Sequence, residues 1–132
     1  MNKTTIAAAL AAACGLMLPA SSLAQSGYSS WYYHGESDGV EVYYAVKVNS
    51  DELRVAWKCV NTTGEAKACS IGAGDSKYYF CRRNGVGVGT TSSPGERALV
   101  RPGGEYVFPS DFACRGTGAT EVQPSARISI ES

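Results

Sequence analysis

Two stretches decide the fold: Glu41-Val-Tyr-Tyr-Ala-Val-Lys-Val-Asn49 and, three residues on, Leu53-Arg-Val-Ala-Trp-Lys-Cys-Val60. In the first, Val42, Tyr44, Val46 and Val48 fall on one side, with Glu41, Tyr43, Ala45, Lys47 and Asn49 on the other. In the second, Leu53, Val55, Trp57 and Cys59 share a side, opposite Arg54, Ala56 and Lys58. A period of two with one apolar side is the pattern of a strand that covers a core. Further runs follow: Lys77–Arg83, with Tyr79 and Cys81 against Tyr78 and Phe80; Glu105–Pro109; and Ser125–Glu131, with Ala126, Ile128 and Ile130 inward.

Turn chemistry separates these runs. Asn84-Gly85 predicts a type I′ hairpin that folds Arg83 back against Val86, because both central positions of that turn need positive φ. Thr63-Gly64 and Pro102-Gly103-Gly104 mark two more reversals. Gly85–Gly95 reads as a long loop or frayed strand. From Gln25 onward Val, Ile, Tyr, Phe and Trp number 27 while Leu and Met number two, and 14 glycines leave no room for a long helix. The expected fold is all-β: a small antiparallel β-sandwich, with a small β-barrel as the alternative.

The N-terminus has the layout of a secretory signal peptide over residues 1–24. Lys3 supplies a positive start, Ile6–Leu18 an apolar run too short to span a bilayer, and Ser22-Leu23-Ala24 small residues at the positions before a cut. A lipoprotein beginning at Cys14 is less favoured, because Gly15-Leu-Met-Leu18 continues the apolar run where a polar tether would start. Residues 25–132 then form one domain, exported to the periplasm or the extracellular space, with no membrane span and an expected monomer. That chain carries 11 bases and 12 acids, and so has no general pull toward nucleic acid.

Removal of Cys14 leaves Cys59, Cys69, Cys81 and Cys114. An even count in a small exported domain reads as two disulfides, and bridged sulfur is no nucleophile. Cys59 and Cys69 are symmetric about Gly64, and Cys69 and Cys81 about Asp75. The first arrangement leaves Cys81 for Cys114 and is preferred; the second leaves Cys59 for Cys114.

The segments Val55-Ala-Trp-Lys-Cys-Val-Asn-Thr-Thr-Gly64 and Leu99-Val-Arg-Pro-Gly-Gly-Glu-Tyr-Val-Phe108 together resemble a pair of strands in bacterial immunoglobulin-like domains. There a strand often closes on Asn-Thr-Gly and a later Pro-Gly turn leads into another. The resemblance covers about 20 residues. It implies an Ig-like sandwich and carries no function.

His34, within Ser29-Ser-Trp-Tyr-Tyr-His-Gly-Glu-Ser-Asp-Gly39, is the sole histidine and the one side chain suited to acid–base work near neutrality. With Glu36 as partner and Arg82 holding an anion, it would serve a small secreted hydrolase of ribonuclease-like or cell-wall type. A His that bonds locally is the simpler reading and the preferred one. No nucleophile elbow, zinc motif, phosphate loop or Cys-x-x-Cys pair accompanies it, and no cofactor or metal is expected.

Trp31 and Tyr33 lie among Gly and Ser, as aromatic anchors do in binding surfaces, although inward packing of both with Tyr32 outside is the simpler alternative. Residues 54–101 carry eight bases and three acids. Lys77, Arg82 and Arg83 beside the hairpin are placed to meet an anion, or to guard a sheet edge. Asn61-Thr-Thr63 is a glycosylation sequon. The expected function is an exported, non-enzymatic binding protein for another protein or an envelope polymer. In its most concrete form it is an inhibitor or immunity protein against a secreted or envelope-directed hydrolase, using Trp31, Tyr33, His34, Arg82 and Arg83. A surface or assembly subunit is the remaining alternative.

Overall fold

A computed structural model describes residues 27–48 and 52–132. The proposed signal peptide and Cys14 lie outside the described residues. Among the described residues nine strands form, β1 (Tyr32–Ser37), β2 (Val40–Val48), β3 (Leu53–Asn61), β4 (Lys67–Arg83), β5 (Val86–Val100), β6 (Glu105–Val107), β7 (Asp111–Ala113), β8 (Glu121–Ser125) and β9 (Ile128–Glu131). They make two antiparallel sheets. The first runs β1-β2-β3, and both β6 and β7 pair with the far edge of β3. The second has β5 on one side of β4, and β8 and β9 end to end on the other. The sheets remain separate layers and do not close into a barrel.

The alternation in the opening stretches holds except at Val48, which is exposed at the end of β2. Val40, Val42, Leu53, Val55, Trp57 and Cys59 are buried and meet Cys69, Ile71, Tyr79 and Cys81 of the second sheet. Two disulfides cross between the layers: Cys59 of β3 to Cys69 of β4, and Cys81 of β4 to Cys114 just beyond β7. The preferred pairing is the observed one, and a small core gains a covalent link at each end.

At the predicted hairpin Asn84 and Gly85 have φ of 51° and 77°, and Arg83 pairs with Val86. Gly103, with φ 68°, completes a turn in which the Gly104 N–H donates to the Arg101 carbonyl at 2.9 Å.

Three expectations are corrected. Gly85–Gly95 is a strand and not a loop, and it is not frayed: from Val86 it belongs to a 15-residue edge strand paired with β4. Gly, Thr and Ser show no alternation of their own, and they extend here because Lys77–Cys81 supplies a ladder for Gly89–Ser93. Ser125–Glu131 is two strands, β8 and β9, broken at Ala126-Arg127. The break answers a bulge in β4, where Gly72–Asp75 leave the register and the Gly72 N–H donates to the Arg127 carbonyl at 2.7 Å. β8 itself contains Pro124, which a sheet tolerates at an edge, and this strand is an edge. The third concerns the sequon. Asn61 is 1% exposed, and its amide donates to the carbonyls of Glu65, Val100 and Arg101, so the folded state offers no acceptor for a glycan.

Candidate functional site

A one-residue bulge in β1 sorts the aromatic residues. Tyr33 pairs with Tyr43 and Gly35 with Val42, so His34 is the extra residue. Its ring turns inward, edge-on to Trp57 at 5.1 Å and to Tyr44 at 6.3 Å. Nε2 lies 3.0 Å from the Ala126 carbonyl and, facing an acceptor, must donate to it. The bond ties β1 of the first sheet to the β8–β9 junction of the second. Glu36 is occupied elsewhere, since its carboxylate accepts the Gly39 N–H at 2.8 Å and closes the β1–β2 turn. Arg82 stands on β4 opposite Gly87 and Glu121, beside a pocket of about 270 Å³. Among the described residues no hydrogen bond or ion pair joins His34, Glu36 and Arg82. Arg83 donates to the Gly118 carbonyl at 3.4 Å and lines a second pocket with Arg115.

Trp31 and Tyr33 do not pack inward. Tyr33 is 59% exposed and stands edge-on to Tyr43, with centroids 5.8 Å apart, on the outward face of the first sheet. Lys58, the outward residue of β3, places Nζ 4.7 Å from the Trp31 ring and 5.5 Å from that of Tyr43. Glu105 holds the same ammonium at 3.1 Å, and the Lys58 side chain is only 14% exposed. Tyr43 donates to Glu41 at 2.6 Å, and that bond, with some burial and the charge of Glu41, pushes its phenol up to about 12. Along the same face Arg54 and Arg115 stack on Phe112, their guanidinium carbons 4.1 Å and 4.0 Å from its centroid. Small residues lie between: Ala45 and Ala56 pair across β2 and β3, and both are buried although they point outward.

Trp31, Tyr33, Tyr43 and Phe112 therefore share one face, a platform with cations fixed against the rings of Trp31, Tyr43 and Phe112. A cation held over an aromatic ring has already lost part of its side-chain freedom, so an incoming anion meets an ordered group. Of the predicted binding residues, the structure brings Trp31 and Tyr33 onto this platform. It turns the half-buried His34 toward the core and places Arg82 and Arg83 at the far hairpin of the other sheet. Tyr43, Lys58, Arg54, Phe112 and Arg115 were missed by sequence reasoning. Their signal was the outward half of the alternation in β2 and β3, which carries aromatic and cationic residues in place of small polar ones.

Among the described residues no group of three or more His, Cys, Asp or Glu side chains is arranged to hold a metal ion. No helix among them is long and apolar enough to cross a membrane. No family model matches the chain, and no curated protein matches it. A solved structure of a DUF1425 family member from Shewanella sp. pv-4 is similar at 11% identity with a TM-score of 0.47, over 74% of this chain and 87% of that one.

Proposed function

We propose that the protein is an exported binding protein that docks another protein on the outward face of its first sheet, without chemistry of its own. The observation that carries this reading is the platform of Trp31, Tyr33, Tyr43 and Phe112 with Lys58, Arg54 and Arg115 stacked on it. Trp, Tyr and Arg are the side chains that dominate protein interfaces, because they add large contact area and directed bonds at a low entropy cost. The signal-peptide layout and the two disulfides support export. An exported hydrolase is the partner this reading favours, with the rigid, cross-linked sandwich acting as its inhibitor or immunity protein.

The oxidised mature protein, immobilised, is expected to retain such a hydrolase from the native extract and to lower its activity. A Trp31→Ala/Tyr33→Ala variant should lose at least tenfold in affinity, since one central anchor is worth about 2 kcal/mol or more. An Arg82→Ala/Arg83→Ala variant should bind as the parent does. Equal binding by the platform variant, or catalytic turnover by the protein that disappears in His34→Ala, overturns the proposal.

A further inference from the structure

One ammonium lies between the sheets. Lys77 of β4 is 1% exposed, with Nζ 2.8 Å from Asp111 Oδ2 on β7 and 3.2 Å from Glu96 Oε1 on β5. The three side chains come from both layers. Glu96 reaches Lys77 because the β4 bulge and Gly95 bring the two backbones together; a Cβ on Gly95 would collide with the Gly72 carbonyl oxygen. The same Asp111 oxygen is held by a second donor. Tyr79 donates to Oδ2 at 2.5 Å, and Trp57 Nε1 in turn donates to the Tyr79 oxygen at 2.9 Å. Glu96 Oε1 is buried and accepts no aligned hydrogen bond, although it stands beside the ammonium. A shallow cleft of about 470 Å³, lined by Gly72, Asp75, Gly95 and Glu96, opens the Glu96 side of this cluster to solvent.

A buried cation shared by two carboxylates carries a heavy desolvation cost, and one carboxylate is always left in excess. Converting Lys77 and Asp111 into a neutral amide would remove two of the three charges from the interior. The reacting groups are already in contact and held by strands, the condition under which an otherwise slow bimolecular step becomes effectively unimolecular. We propose that Lys77 and Asp111 condense into an intramolecular isopeptide bond joining the two sheets, with Glu96 carrying the proton.

The step balances without a co-reactant. Lys77 passes one proton to Asp111 Oδ2, and the freed amine attacks Cγ. Glu96 Oε1 takes a proton from the nitrogen of the tetrahedral adduct and delivers it to Oδ2. The Cγ–Oδ2 bond breaks, water leaves through the cleft, and Oδ1 remains as the amide carbonyl. One Nζ–Cγ bond forms, one Cγ–O bond breaks, one water is released, and Glu96 ends as it began. No atom changes oxidation state overall. Tyr79, hydrogen-bonded by Trp57, is a positioning residue that keeps Oδ2 aligned.

The test is an intact mass of the folded, processed protein after its disulfides are reduced under denaturing conditions. The expected value is one water below the mass calculated from its own N-terminus and sequence. A tryptic digest should show no cleavage after Lys77 and a branched peptide containing Lys77 and Asp111. Glu96→Gln, checked for an unchanged far-UV spectrum, should show the full mass or cross-link at least tenfold more slowly. The full mass in the folded parent overturns the proposal whatever the variant does. So does a missing water that maps to Asp38-Gly39, where an aspartate followed by glycine can close to a cyclic imide. Cross-linking of folded Glu96→Gln at the parent rate overturns the assignment of Glu96.

Discussion

Tyr79 is the residue on which the interior polar groups converge. Its oxygen accepts from Trp57 and its hydrogen goes to Asp111, so removal of that one atom leaves the buried Trp57 donor without a partner and Asp111 Oδ2 with Lys77 alone. Tyr79→Phe should lower stability by about 1–3 kcal/mol, read as a shift of the urea midpoint at constant slope. Burial, and then the bond to Asp111, hold the Tyr79 phenol far above its ordinary range. Tyr43 is pushed up from 10.0 to about 12, chiefly by its bond to Glu41. The sign follows from linkage. The unfolded chain loses both protons from about pH 10 while the folded chain keeps them, so their contribution is complete below that pH and declines as pH rises further. Phenolate absorbance should therefore show a late-titrating fraction, and Tyr43→Phe should remove the part of it near pH 12. None of this was legible in the sequence. A lysine in a strand reads as solvated, and only the fold brings Asp111 and Glu96 beside the buried Lys77.

At the scale of the elements, the legible strands were those with a dry side and a wet one. β2 and β3 could be read because Val, Leu and Trp alternate with charge, and the Asn84-Gly85 hairpin because two adjacent positive φ values leave few residue choices. β5 was not legible, since its extended form is imposed by β4. The orientation of Tyr33 was not legible either. One inserted residue, His34, reverses which side of β1 faces out, and a period-two reading cannot register an insertion. Turns allow a sharp comparison. Gly39 and Gly85 both have positive φ, at 80° and 77°, but a Cβ at Gly85 meets nothing within 4 Å whereas one at Gly39 would collide with the Thr63 methyl. Thr63 cannot swing away freely, because its hydroxyl is bonded to Asn61 and Glu65. Gly85→Ala should cost about 1–2 kcal/mol from backbone strain alone. Gly39→Ala should cost clearly more, and paired thermal melts would show the order.

At the scale of the whole molecule, two layers are joined by sulfur at both ends. The bridges close loops of different size, with sequence separations of 10 and 33. Chain-entropy reasoning makes the longer one worth about 1 kcal/mol more. Cys81→Ala/Cys114→Ala should therefore melt below Cys59→Ala/Cys69→Ala by several degrees, a difference calorimetry resolves. Sandwich architecture was accessible from strand alternation and turn positions, whereas cysteine spacing left two bridge arrangements open and only the fold decides between them. The platform was accessible only in part, because its residues come from β1, β2, β3, β7 and the segments beside them, and only register brings them to one face.

The unequal bridges also bear on how the molecule matures. A chain emerging from its N-terminus exposes Cys59 and Cys69 well before Cys114, so the short ring can shut while the last third is still being delivered. Cys81 arrives in that interval, twelve positions beyond Cys69 and with its own partner absent. The scrambled species to look for is thus a Cys69–Cys81 isomer, and speeding thiol exchange should raise the yield of native protein more than slowing synthesis does.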